Sequence, residues 1–146
     1  MYILDTCLIS YLGPTQSRPE QTVRDWLRRN GDRCFLSVVS LTEIAYGIAW
    51  LRHRGATAKA TRVQIWYEEI VAFHVDRILP IDVDIAVRAG TLMAKARAAG
   101  FDPGAEDSWI AATAEVRGME VLTFNMADFR PMGIACRNPL TDLPPD

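Results

Sequence analysis

Histidine is scarce in this chain. Its two copies, His53 and His74, fall in neither an HExxH nor a similar spacing, which argues against a zinc hydrolase. There is no GxSxG elbow and no GxxxxGK[ST] loop, so the usual hydrolase nucleophile and the P-loop phosphate cradle are both missing. No stretch approaches the ~18 consecutive apolar residues of a membrane span. The first residues lack a basic region followed by a small-residue cleavage site, so no secretory signal is read there. Cysteine is limited to Cys7, Cys34 and Cys136, an odd number, far apart and in no CxxC pattern. That argues for a reducing cytoplasm rather than a disulfide framework.

What is present suits one ordinary globular domain. The chain has 146 residues, 49% apolar and 23% charged. A chain of this size buries about 68–70% of the surface it exposes when unfolded, so it needs no staple to fold. A single domain over 1–146, with a loose tail from about residue 140, is expected. Net charge is −2, but its distribution is uneven. Nine of the 16 Lys/Arg lie between Arg18 and Arg62, with only four of the 18 Asp/Glu. One part of the surface suits a polyanion while the other concentrates acids; solvated helix faces account for the same arginines.

Strands and helices alternate along the chain. MYILD reads as a buried strand, LISYL as a helical turn, and GPTQSRP as a loop. Residues 20–30 look helical, with Val23 and Leu27 at i and i+4. CFLSVVS is the second strand candidate. Ser40 then serves as an N-cap, with Glu43 completing a capping box. Leu41, Ile44, Ile48 and Leu51 form that helix's apolar stripe. Residues 58–75 give a second long helix, with Val63, Trp66, Ile70 and Phe73 on one face, divided from the first by Gly55. ILPID is a short strand. Asp82 or Asp84 caps the next helix, whose stripe is Ile85, Ala89, Leu92, Met93 and Ala96, ending at Gly100. After the FDPGAE loop, DSWIAATAEVRG is a helix stopped by Gly118. EVLTF is a strand, NMADFRPMG a loop, and GIAC an edge strand. The alternation predicts an α/β fold with a mostly parallel central sheet flanked by helices. Ligands in such sheets sit at the carboxyl ends of the strands, the edge that Asp5 and Asn125 occupy.

Four acids stand at element ends beside apolar surface. Asp5 ends the first strand, Glu43 and Asp107 open helices, and Asp128 lies in the loop after EVLTF. If these ends meet at one edge, the carboxylates converge, and a hard divalent cation such as Mg²⁺ or Mn²⁺ resolves their repulsion. Such a site orients a water and stabilises charge on a phosphodiester. Each acid also has a plainer reading. Asp5 caps LISYL, Glu43 serves the capping box, and Asp128 is a turn residue. Asp107 and Glu106 suit a helix N-terminus. Asp107, however, shares a face with Ile110, Ala111 and Ala114, whereas Glu106 projects elsewhere. Cys7 reads more simply as a small core thiol than as a nucleophile. The tryptophans at 26, 50, 66 and 109 suit core packing or a partner groove.

Three segments, YILDTCLISYL, LSVVSLTEIAYGI and EDSWIAATAEVRGMEVLTFNMADF, resemble PIN-domain ribonucleases. The likeness is to the toxin component of VapBC-type toxin–antitoxin pairs, and it runs in order from residue 2 to about residue 139. It implies a PIN-like fold, a parallel sheet with an acidic site at the carboxyl edge of its strands. It makes Asp5, Glu43 and Asp107 metal-binding catalytic acids. Asn125 and Asp128 share the segment that supplies a fourth position, and Thr6 and Thr123 match hydroxyls that support the acids. It implies Mg²⁺- or Mn²⁺-dependent cleavage of RNA, a cognate antitoxin as partner, and a homodimer. The antitoxin groove is placed along residues 41–75, with Trp50, Trp66 and Tyr67 as candidate lining. Cys7 departs from the family, which more often has Asn, Ser or another small polar residue there.

Two rivals remain. One is a PIN-like domain that binds nucleic acid or a regulatory partner and cleaves poorly. The other is a Mg²⁺-dependent phosphomonoesterase, although an aspartyl-phosphate enzyme would want a DxD pair where this chain reads Asp5-Thr6-Cys7.

Overall fold

The computed structural model describes residues 1–14 and 20–146, so most of the expected GPTQSRP loop lies outside the described residues. Strand β1 (Tyr2–Leu4) is the middle of a five-stranded sheet. The other strands of the sheet are β2 (Cys34–Ser37), β3 (Ile78–Leu79), β4 (Glu120–Leu122) and β5 (Cys136–Arg137). The order is β3-β2-β1-β4-β5, and every pairing is parallel, as the alternation predicted. Tyr2 stands opposite Cys34 on one side and Glu120 on the other.

Successive residues of β1 feed opposite faces, as the two-residue period of a strand requires. Ile3 joins a core with Ile85, Leu92, Ile110, Val121 and Phe129. Tyr2 and Leu4 join a second core with Leu8, Val23, Trp26, Leu36 and Ile48. The first core is covered by α5 (Val83–Ala98), α6 (Ala105–Val116) and α7 (Met126–Phe129). The second is covered by α1 (Thr6–Tyr11), α2 (Gln21–Asn30), α3 (Val38–His53) and α4 (Thr57–Phe73). Ala111, Ala112 and Ala114 are fully buried, and their small side chains let α6 lie close against its neighbours. No helix among the described residues is long and apolar enough to cross a membrane.

Several element ends differ from the sequence reading, each for a local reason. CFLSVVS splits: the strand stops at Ser37, and Val38 already belongs to α3. Ser37, not Ser40, is the N-cap, its Oγ accepting from the Val39 amide at 3.1 Å. Ser40 is instead buried inside the helix. Glu43 therefore sits six residues past the cap, too far to close a capping box. Asp82 rather than Asp84 caps α5, accepting from the Ile85 amide at 2.9 Å. Phe73 repeats at helical spacing but is 67% exposed, because α4 runs past the edge of the core. The NMADFRPMG segment is no plain loop: it forms α7 and a following 3-10 turn, Arg130–Met132, anchored by buried Phe129 and Met132. The edge strand is Cys136–Arg137 rather than GIAC. The expected loose tail is docked: Pro144 is buried, and Asn30 Nδ2 donates to Asp146 Oδ1 at 2.9 Å.

The chain moves outward from β1 to β2 and β3, then returns to β4 on the other side of β1. The sheet's order thus reverses between β1 and β4, the position where open α/β sheets place their ligands. The residues just past those two strands are Asp5 and Thr123.

Candidate functional site

Asp5 stands at the N-cap position of α1, yet its side chain makes no capping hydrogen bond. Only 5% of it is exposed. Its carboxylate is held from elsewhere: the Thr123 hydroxyl donates to Oδ2 at 2.6 Å, and the Cys7 thiol donates to the same oxygen at 2.9 Å. The reading of Asp5 as a simple cap therefore fails. The residue is a buried acid, fixed by groups at the ends of two adjacent strands.

Asp107 lies in the first turn of α6 and is half-buried. Burial pushes its carboxyl up from 3.8 to about 7, and the charges of Asp5, Asp128, Glu43 and Glu106 push in the same direction. Glu43 is raised as well, chiefly by burial and further by Asp5 and Glu106, while the Thr6 hydroxyl, which donates to Glu43 Oε2, opposes the shift. Asp107 thus feels the charge of each of the other three acids singled out in the sequence. Asn125 and Asp128 divide their work: the Asn125 amide donates to Asp128 Oδ2, and it is the Asp128 carboxylate that acts on Asp107. Asn125 also uses its backbone N–H, which donates to Thr123 Oγ1 at 2.9 Å.

Two residues were read too simply. Glu106 is exposed, off the packing face as expected, but it is not idle. It lines a cavity of about 720 Å³ together with Glu43, Tyr46 and Trp109, and adds its charge to Asp107 and Glu43. Two adjacent acids in a helix's first turn were the available signal. Cys7 is no inert core thiol: it bonds to the acid two residues before it. Among the described residues, no three His, Cys, Asp or Glu side chains form a ready-made metal cage.

A stability consequence follows from Asp107 alone. The folded protein keeps that proton to about pH 7, whereas the unfolded chain gives it up near 3.8. Between those values the folded state binds more protons, so stability falls as pH rises. With the shift discounted for a half-exposed group, the loss is about 1–2 kcal/mol, or roughly 3–8 °C in melting temperature. Thermal melts in chelator from pH 4 to pH 7 are expected to fall by that amount beyond the slope of Asp107→Asn. Parallel slopes for the two proteins would refute this.

The PIN domain model matches residues 2–132. VapC ribonuclease Y4jK of Sinorhizobium fredii is 31% identical over 141 residues, covering 95% of this chain and 97% of that protein. The solved structure of FitAcB from Neisseria gonorrhoeae superposes with a TM-score of 0.79 at 28% identity, over 96% of this chain and 99% of that one. VapBC-5 of Mycobacterium tuberculosis, a member of the VapBC family of toxin–antitoxin systems, gives a TM-score of 0.64 at 27% identity, over 92% and 94%. The matched model spans most of the chain and every acid singled out above: this chain belongs to the PIN domain family.

Proposed function

We propose that this chain is a Mg²⁺- or Mn²⁺-dependent endoribonuclease, the toxin of a type II toxin–antitoxin pair acting in the cytoplasm. The observation that carries the reading is the state of Asp107. Its burial pushes the carboxyl up to about 7, and the charges of Asp5, Asp128, Glu43 and Glu106 push the same way. Such crowding is unfavourable unless a cation compensates it. The donors are all carboxylate and hydroxyl oxygens, the set that hard divalent cations prefer. A full protein cage is not needed, because Mg²⁺ usually takes one or two carboxylates and completes its shell with water and substrate oxygens. Asp5, Asp107 and Glu43 are the residues that would hold it.

A divalent ion held there would supply positive charge for a scissile phosphate oxygen and lower the pKa of a water. The chain's own groups do the rest. Thr123 and Cys7 fix Asp5. The Thr6 hydroxyl donates to Glu43 and orients it. Asn125 holds Asp128 toward Asp107.

Relatives carry the names ribonuclease and toxin–antitoxin system, which supports both halves of the reading. The test is partner-free protein on total RNA, with Mg²⁺ or Mn²⁺ against excess EDTA. Discrete metal-dependent fragments are expected. Folded protein that cuts nothing with either metal would favour the binding-module reading.

The antitoxin's seat is a groove between α1, α3 and α4, lined by Trp50, Val63 and Trp66 and reaching Thr6 and Glu43 at the acidic edge. Tyr67 packs against the core instead. Trp50 is 47% exposed and stacked on His53. Exposed aromatics in such grooves commonly cost 2 kcal/mol or more when truncated. Trp50→Ala is expected to weaken antitoxin binding about 30-fold while RNA cleavage by the free chain stays unchanged. Calorimetry with the antitoxin checks the first half, and an unaltered affinity would move the seat elsewhere.

A further inference from the structure

We propose that Cys7 is a positioning residue, which with Thr123 locks one oxygen of Asp5 so that the other is presented to the divalent cation. The inference rests on the metal-site reading above and deepens it.

The argument is one of hydrogen-bond direction. The Asn125 backbone N–H donates to Thr123 Oγ1 at 2.9 Å, and the Phe124 backbone N–H donates to Cys7 Sγ at 3.4 Å. A backbone amide has only a hydrogen to give. Each contact therefore fills an acceptor position on the hydroxyl and on the sulfur and turns the remaining hydrogen outward. Both hydrogens go to the same atom, Asp5 Oδ2, at 2.6 Å from Thr123 and 2.9 Å from Cys7. The sulfur and the hydroxyl are themselves 3.4 Å apart, which closes a compact three-membered cluster. Two donors on one carboxylate oxygen fix the plane of the group. Among the described residues no hydrogen bond reaches Oδ1.

The cluster also joins two strands. Asp5 and Cys7 follow β1, and Thr123, Phe124 and Asn125 follow β4. The two amides that set its polarity sit just before Asp128. The carboxylate that ends the first strand is thus oriented from the neighbouring strand, with Cys7 as the only one of its two side-chain donors that comes from its own.

A thiol is a weak donor, and a hydroxyl does the same task at similar reach. This gives the inference a sharp test. Metal-free protein is titrated with Mn²⁺, and free hexaaqua Mn²⁺ is read by electron paramagnetic resonance, so catalysis is not involved. Partners that orient a ligand typically contribute 10–100-fold to metal affinity. Cys7→Ala is expected to bind Mn²⁺ about 10-fold more weakly than wild type, with a normal circular dichroism spectrum. Cys7→Ser should restore affinity to within about threefold. Thr123→Val, in which the stronger donor is lost, should fall at least as far as Cys7→Ala. Equal affinity in Cys7→Ala and wild type overturns the proposal. So does a Cys7→Ser variant as weak as Cys7→Ala, because a packing defect is not repaired by a donor. Should Cys7→Ala not fold, the comparison of Cys7→Ser with wild type decides alone: affinity lost in Cys7→Ser overturns the proposal, and affinity kept sustains it. A wild-type chain that binds no Mn²⁺ defeats the metal-site reading itself, an outcome distinct from all of these.

Discussion

Asp107→Asn abolishes RNA cleavage, by more than ~100-fold, while leaving the fold intact. Changes to groups that merely orient a metal's partners already cost about 10–100-fold, and Asp107 is placed as a direct partner. The amide is nearly the same size and keeps one oxygen, so the buried Ile110 and Ala111 of the same helix are left undisturbed. What it loses is the negative charge. The consequences for stability and for activity then point in opposite directions. Without metal, removing one of five mutually repelling acids relieves the folded state, and the variant should melt at or above wild type near pH 7. With metal, it should gain less than wild type from added Mn²⁺, because stabilisation by a ligand scales with its affinity for the folded form. Gel analysis of total RNA checks the first effect, and melts with and without Mn²⁺ check the second. A variant that cleaves within tenfold of wild type would remove Asp107 from the site.

Asp5 and Asp107 were legible because each breaks a pattern. A short apolar strand ends abruptly in a charge, and an acid interrupts the packing face of a small-residue helix. Glu43 was found for a reason that proved wrong. The text SVVSLTE offers two serines, and the β-branched pair Val38–Val39 favours the strand reading. The helix nevertheless begins at Val38, because packing against the sheet overrides local preference. The capping box vanished with the shift, and Glu43 was left without a local purpose. That strengthens its assignment to the site, since its partners are Thr6 and the other acids. α7 was illegible because four residues are too few to show a helical period. Glu106 was set aside because adjacent helix residues diverge by about 100°, yet an exposed acid one position off still borders the cavity beside Glu43. Cys7 was read too simply because a thiol's commonest role is packing, and the placement of β4 reveals what it touches.

Phe129→Ala is the second large effect, a loss of about 3–5 kcal/mol from a protein whose total stability is of order 5–15 kcal/mol. Phe129 is fully buried in the core that also contains Ile85, Leu92 and Ile110. It is also the only buried residue of α7, and with Met132 it is one of two that pin the segment from Met126 to Met132. Cutting it back leaves a cavity and frees the stretch that carries Asn125 and Asp128. The melting temperature should fall by roughly 6–20 °C. Phe129→Leu keeps most of the volume and should recover the greater part of that loss. The functional consequence separates the two roles of the residue. At a temperature where both variants are folded, Phe129→Ala should cleave RNA more slowly than Phe129→Leu, since Asp128 has lost its anchor one residue away. Melts and single-turnover cleavage at 15 °C decide it. If the alanine variant melts within 2 °C of wild type, α7 is not held as described. If it melts low but cleaves like the leucine variant, Asp128 does not need a fixed place at the edge of the sheet.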